Sequence, residues 1–324
     1  MYIDNNIITT NNIDINYPSI LQNTKKNIIK VYIWSVYYDE CLLFFKHIIN
    51  LLQDSYKIII VKEHNDCDII FTNHFKTNIN ININKKIIYW SGESFPNTIL
   101  NNNKPYIELD SFINKNSSTS IYMPFIISSA YWKKNIRQLN NTKSKFMAFC
   151  VSNPRAQERI YFFNRFCELL PDKCIEALGK VYGNYKSKHR CINGFHTNYQ
   201  TIEEYSNYKF ILAAENKIKE GYVTEKIINA FASGSVPIYW GCSKTVKSIF
   251  NKNAFIDIND FNSIDECINY VNNISEEQYN MILKEPVLNN TSILNIVNDN
   301  NEFIYEKHPY WKNIKNILIK YIET

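Results

Sequence analysis

The sequence predicts an α/β protein built from two Rossmann-like units in tandem, facing each other across a cleft. Three observations carry this. Short, continuously apolar runs recur through the chain, separated by helical or polar stretches, as in a buried and largely parallel sheet. A polar, charged stretch at 133–144 divides these runs into two series. The length of 324 residues suits about two domains.

The elements follow in order. Residues 1–26 are polar and read as a poorly ordered leader. The run at 28–34 is a strand, and 39–53 is a helix in which Leu42, Phe45, His47, Ile48, Ile49 and Leu52 form an apolar face. Strands are expected at 56–62, 67–72 and 86–90, and the stretch 97–120 is polar and Asn-rich. After the link, a strand at 145–151 leads into a helix at 156–170. Thr201 and Glu204 have capping-box spacing and predict the opening of a short helix. A strand at 210–214, a helix at 224–233 stopped by Gly234, and a strand at 236–240 come next. A short helix near 243–250, a strand at 254–258 and a helix at 263–273 follow. Ser275 and Gln278 again have capping-box spacing, and a last helix fits 309–322. The domains expected are 27–140 and 145–300, with 301–324 a helix packing back on the first.

Composition narrows the function classes. Hydrophobic content of 45% and charged content of 21% are ordinary for a chain that buries a core. The formal charge of +5 suits an anionic small molecule and is too diffuse for nucleic acid. No segment has the ~18 to 20 uncharged apolar residues of a membrane span, and 1–26 lacks a signal-peptide core. The chain therefore reads as soluble and cytoplasmic, the alternative being a chain freed of a membrane anchor. None of the eight cysteines forms a CxxC pair, and they are expected to be mostly reduced, buried thiols. The six histidines show no ligand spacing. Asp66-Cys67-Asp68 has the D-x-D form of metal-dependent glycosyltransferases, but it precedes a strand, where a structural role fits better.

Three stretches carry candidate chemistry, each at the carboxyl end of a predicted strand, where α/β folds bind ligands. The longest is 210–241. Glu215 and Asn216 emerge from a buried strand, and Tyr222, Thr224, Glu225 and Lys226 open a helix whose N–H groups attract anions. Lys226 adds a full charge for a diphosphate, and Glu225 can accept hydrogen bonds from sugar hydroxyls. Taken alone, Thr224-Glu225-Lys226 reads more readily as a cap followed by a solvated first turn. The second stretch is Val151-Ser152-Asn153, with Arg159 near the start of the next helix and Arg155 as its competitor. An arginine there can point a planar fork at a diphosphate. The third is Ser91-Gly92-Glu93-Ser94, whose carboxylate could take the proton of an attacking alcohol.

Together these stretches resemble the α1,3-fucosyltransferases of glycosyltransferase family 10. The family's donor motif is roughly F-E-N, five residues, Y-I/V-T-E-K, a stretch of small residues, then V-P-I/V-x-x-G. Here five residues separate Asn216 from Tyr222, and Tyr222-Val223-Thr224-Glu225-Lys226 and Val236-Pro237-Ile238-Tyr239-Trp240-Gly241 fit. Residues 254–261 resemble its S-F-I-x-V-x-D-F strand, and Ser152-Asn153 with Arg159 its S-N-x-x-x-x-x-R element. Ser91-Gly92-Glu93 resembles its S/T-G-E-N motif. Ala214 stands where the family has Phe, and Ser94 where it has Asn. The likeness is strong over 145–275, slighter over 28–125, and slight beyond.

The resemblance implies a GT-B fold and an inverting transfer of L-fucose from GDP-fucose to a glycan hydroxyl, α1,3 to GlcNAc or Glc, with no metal or other cofactor. Glu93 is then the base. Arg159, Asn216, Tyr222, Thr224, Glu225 and Lys226 bind the donor, with support from Ser152, Asn153 and Glu215. The alternatives are a same-fold glycosyltransferase using another nucleotide sugar, and a non-catalytic nucleotide- or sugar-binding protein.

Overall fold

The computed structural model describes residues 27–35, 38–73, 85–93, 106–113, 120–128, 136–137, 142–151, 153, 155–179, 199–298 and 303–324. The leader 1–26 and Ser152 lie outside the described residues.

Among the described residues the first sheet has six strands, all paired in parallel: β1 (Asn27–Trp34), β2 (Tyr56–Ile60), β3 (Ile69–Asn73), β4 (Lys86–Ser91), β5 (Tyr106–Asp110) and β6 (Ser120–Tyr122). Their spatial order is β2-β1-β3-β4-β5-β6. Helix α1 (Tyr38–Leu52) covers one face, with Phe44 stacked on Trp90 and Phe45 on Phe71. Strands β5 and β6, not expected from the sequence, fall in and just past the polar, Asn-rich stretch at 97–120. Their signal was hidden because β5 reads Tyr-Ile-Glu-Leu-Asp, with Glu108 and Asp110 buried in the sheet. Asp110 accepts a 2.6 Å hydrogen bond from Ser120 of β6, so a polar pair joins these strands.

The second sheet is also wholly parallel, in the order β11-β10-β9-β7-β8. It contains β7 (Lys145–Phe149), β8 (Ile175–Ala177), β9 (Tyr208–Ala214), β10 (Val236–Trp240) and β11 (Ile256–Asp257). The helices α2 (Gln157–Leu169), α3 (Tyr199–Tyr205), α4 (Glu225–Ala232), α5 (Ser243–Ile249), α6 (Ile264–Asn273) and α7 (Glu276–Lys284) connect and cover it. The strand expected at 254–258 is cut short because the Asp257 carboxylate accepts from Asn259 N at 3.1 Å and turns the chain into a 3-10 helix at Ile258–Asp260. The expected opening of a helix at Thr201 is also corrected. Helix α3 begins two residues earlier, at Tyr199, and Thr201 is an interior, buried position. The expected stop after α4 is present: Gly234 takes φ 71°, and its N–H bonds to Phe231 O.

Helix α8 (Pro309–Glu323) crosses back to the first sheet. Tyr56 donates to Glu323 at 3.0 Å, and Lys86 Nζ donates to Ile322 O at 2.5 Å. Its buried residues Trp311, Ile314 and Leu318 join a cluster that contains Phe44 and Trp90 of the first domain. The same cluster takes in Ile227 and Phe231 of α4, so one apolar core spans both sheets. Across the link, Arg137 donates from Nη1 to Ile282 O and Leu283 O and from Nη2 to Ala254 O, at 2.7 to 2.9 Å. It thereby satisfies the carbonyls at the end of α7.

Candidate functional site

The site is assembled at the carboxyl end of the second sheet. β9 ends at Ala214 and delivers Glu215, whose N–H pairs with Trp240 O of β10 at 2.8 Å. The Glu215 side chain is fully buried. It accepts 2.7 Å bonds from the Thr224 amide and the Thr224 hydroxyl. Thr224 precedes the first turn of α4, and its hydroxyl makes no cap of its own. Glu215 thus takes over an N-terminal donor of the helix from the adjacent strand.

Lys226 gathers around the same carboxylate. Its Nζ lies 2.8 Å from Thr224 Oγ1, 3.2 Å from Glu225 Oε1 and 3.4 Å from Glu215 Oε2. Burial alone would lower the Lys226 pKa, but Glu225 and Glu215 outweigh it and hold the ammonium above its ordinary value. Burial pushes Glu215 upward against the pull of Lys226. The first turn of α4 is therefore a desolvated ion cluster rather than a solvated one.

Arg159 closes the cluster from α2. The side chain is 2% exposed, whereas Arg155 faces solvent. Its Nη1 donates to Asn216 Oδ1 at 2.5 Å and its Nη2 to Asn153 O. This contact joins the two sequence stretches that flank the second sheet's carboxyl edge. Arg159 Nε is buried with no hydrogen-bond partner among the described residues. Burial lowers the guanidinium pKa, with Glu215 pulling the other way. Two cations, Arg159 and Lys226, thus stand against two carboxylates, Glu215 and Glu225.

Glu93 comes from the other domain, just past β4. Ser111 donates to its carbonyl at 3.1 Å, and Ser111 N pairs with Ser91 O. Its carboxylate is within electrostatic reach of Tyr222. The Tyr222 hydroxyl is held well above its ordinary pKa, first by burial and then by Glu215, Glu93 and Glu225. The structure therefore brings Asn153, Arg159, Glu215, Asn216, Tyr222, Thr224, Glu225 and Lys226 together, with Glu93 across from them. Sequence reasoning missed Tyr122 and Thr245, which hold the loop before Tyr222 at Gly221. Nothing local in the sequence marks either residue.

Asp68 serves structure, accepting Lys30 N at 2.8 Å where β1 and β3 meet. Among the described residues no three His, Cys, Asp or Glu side chains are grouped so as to hold a metal ion. No helix among them is long and apolar enough to cross a membrane. The described cysteines with resolved surroundings are free thiols, of which Cys67 and Cys267 are buried and Cys174 is exposed.

Comparisons with known proteins match the part of the chain that carries most of this cluster. The family model for glycosyltransferase family 10 (fucosyltransferase) C-term matches residues 140–282. A chain of Acanthamoeba polyphaga mimivirus, named as a fucosyltransferase, is 36% identical over 189 residues, 55% of this chain and 30% of its own. An α-(1,3)-fucosyltransferase of Helicobacter pylori is 36% identical over 130 residues, 40% of this chain and 24% of its own. The chain thus spans about a third or less of the length of these two curated relatives. A crystal structure of an α1,3-fucosyltransferase with GDP-fucose superposes with a TM-score of 0.66 at 22% identity, over 95% of this chain and 94% of that one. That likeness establishes the two-domain GT-B fold.

Proposed function

We propose, from the match of residues 140–282 to the family model for glycosyltransferase family 10 (fucosyltransferase) C-term, that the chain transfers L-fucose from GDP-fucose to a hydroxyl of a glycan acceptor. The linkage proposed is α1,3 to GlcNAc or Glc, formed with inversion. The observation that carries this is the contact of Arg159 with Asn216 beside Lys226, which merges two separate motifs into one charged cluster at strand ends.

In this reading the diphosphate meets the Arg159 fork and competes with Glu215 and Glu225 for Lys226. The buried Nε–H of Arg159 is a donor the phosphates can take up. As Lys226 turns to the phosphates, Glu225 is released to accept from sugar hydroxyls, and Tyr222 and Asn216 orient ribose and fucose. Glu93 accepts the proton of the attacking acceptor hydroxyl. The oxygen of that hydroxyl bonds to the anomeric carbon as the bond to the β-phosphate oxygen breaks, and GDP leaves with the electron pair. Arg159 and Lys226 stabilise its growing charge, so the transfer proceeds without a metal.

The test is a GDP-fucose transfer assay over a panel of GlcNAc- and Glc-containing acceptors, with and without chelator. Fucosylated product in both conditions is expected. Turnover only with a different nucleotide sugar, or loss of turnover in chelator, would overturn the donor or the metal-free part of the reading.

A further inference from the structure

The loop between Asn216 and Tyr222 belongs to the second domain, yet the first domain holds its far side. Gly221 has φ 91°, a left-handed value that favours glycine. Its N–H donates to Thr245 Oγ1 of α5 at 2.8 Å, and its carbonyl accepts the Tyr122 hydroxyl of β6 at 3.0 Å. One residue earlier, Glu220 O accepts Ile113 N at 2.8 Å. Before that, Lys219 Nζ stands 3.3 Å from the centre of the Phe112 ring. A Cβ at position 221 would come within 2.7 Å of Ile113 N and 2.9 Å of Phe112 Cα. The backbone of the first domain therefore presses directly on this glycine. Tyr122 is itself anchored, because the Tyr310 hydroxyl of α8 donates to its carbonyl.

The Gly221 carbonyl and the Tyr222 amide share one planar peptide unit. That plane is held at both ends: Tyr122 donates to its oxygen, and its N–H donates to Lys219 O at 3.0 Å. The orientation of the plane sets the direction in which the Tyr222 side chain leaves the backbone. We propose that Tyr122 is a positioning residue for the donor: a hydroxyl of the first domain that fixes the Gly221–Tyr222 peptide and so places Tyr222 in the second domain's donor site. Donor affinity is thereby set partly from the acceptor-side domain. This rests on the GDP-fucose reading above. Burial raises the Tyr122 pKa, which keeps the hydroxyl a neutral donor.

The test compares the full chain with Tyr122→Phe, Tyr310→Phe, Tyr222→Phe and the double variant Tyr122→Phe/Tyr222→Phe. GDP affinity is measured by calorimetry, and KM is measured separately for donor and acceptor. Removing one buried hydrogen bond is expected to weaken GDP binding in Tyr122→Phe roughly tenfold. Donor KM should rise in parallel, with acceptor KM near that of the unaltered chain and Tm lowered by only about 2 to 4 °C. Tyr310→Phe should shift GDP affinity in the same direction by less. The double variant should bind GDP no more weakly than Tyr222→Phe alone, since the first residue acts through the second. Unchanged GDP affinity in Tyr122→Phe, fully additive losses, or equal rises in both KM values would overturn the positioning role. Absence of GDP binding by the unaltered chain would instead sink the donor reading, and this inference with it.

Discussion

Two carboxylates near the proposed reacting centre have opposite surroundings, and their substitution should separate them. Glu93 is half-buried, is anchored through its backbone, and faces Tyr222 across the two domains. Glu215 is fully buried and accepts from both the amide and the hydroxyl of Thr224. Glu93→Gln keeps the shape but cannot take a proton. It should lower kcat by roughly 10² to 10⁴ while GDP affinity stays near normal. Glu215→Gln puts an NH2 group where an oxygen now faces a donor or Lys226. It should destabilise the fold by about 1.5 to 3 kcal/mol and weaken GDP binding through a displaced α4. Chemical denaturation and calorimetry on both variants check this contrast. Near-full transfer by Glu93→Gln alongside a stable, inactive Glu215→Gln would move the base to the donor domain.

At the scale of elements, α7 offers a clean test of local sequence chemistry. Ser275 Oγ accepts from Gln278 N at 3.1 Å, and Gln278 Oε1 accepts from Ser275 N at 2.9 Å. The helix then presents Tyr279, whose hydroxyl donates to Lys209 O on β9 at 3.1 Å. Ser275→Ala should cost about 1 kcal/mol and lower Tm by about 2 °C, as read by calorimetry. An unchanged Tm would mean that the cap is redundant with packing. The same spacing misled at Thr201 because that residue is drawn inside a helix begun upstream, so a capping pair marks a helix start only when nothing helical precedes it. The apolar strands β1, β3, β4, β9 and β10 were legible because burial on both faces leaves continuous hydrophobic runs. β5 was not, because Glu108 and Asp110 are buried and polar. The cluster around Arg159, Glu215 and Lys226 was legible as an ordered motif, since its members lie within a few residues of one another or of a strand end. The seam at Gly221 was not, because Tyr122 and Tyr310 reach it from segments about 100 and 90 residues away in sequence and only the fold brings them there.

The whole molecule is held by contacts that return from the second half of the chain to the first, and one of them titrates. His47 of α1 is buried with Nδ1 2.6 Å from the Tyr305 hydroxyl, and its ring meets Phe303 edge-on at 4.7 Å. Burial lowers its pKa to about 4, with the Ile127 backbone pulling the other way. The folded state therefore binds its proton later than the unfolded state as pH falls. The stability associated with neutral His47 is complete above about 6.5 and is lost as pH falls towards 4. The full loss is about 3 kcal/mol. Urea unfolding at pH 7, 6 and 5 should show a falling midpoint before most carboxylates protonate. A flat midpoint over that range would show that His47 is not held neutral by the fold.

The return of α8 to the first sheet also sets a schedule for biosynthesis. Trp311, Ile314 and Leu318 complete the apolar cluster around Phe44 and Trp90, yet about 190 residues separate the end of β6 from the start of α8. At ordinary translation rates the ribosome needs roughly 10 to 40 s to make that interval. Throughout that time the cluster between α1 and the first sheet lacks the side chains of α8 and is partly uncovered, the kind of surface that chaperones bind and proteases find. An amino-terminal fragment made without α8 should accordingly aggregate or be degraded, and α8 supplied as a separate peptide should rescue it.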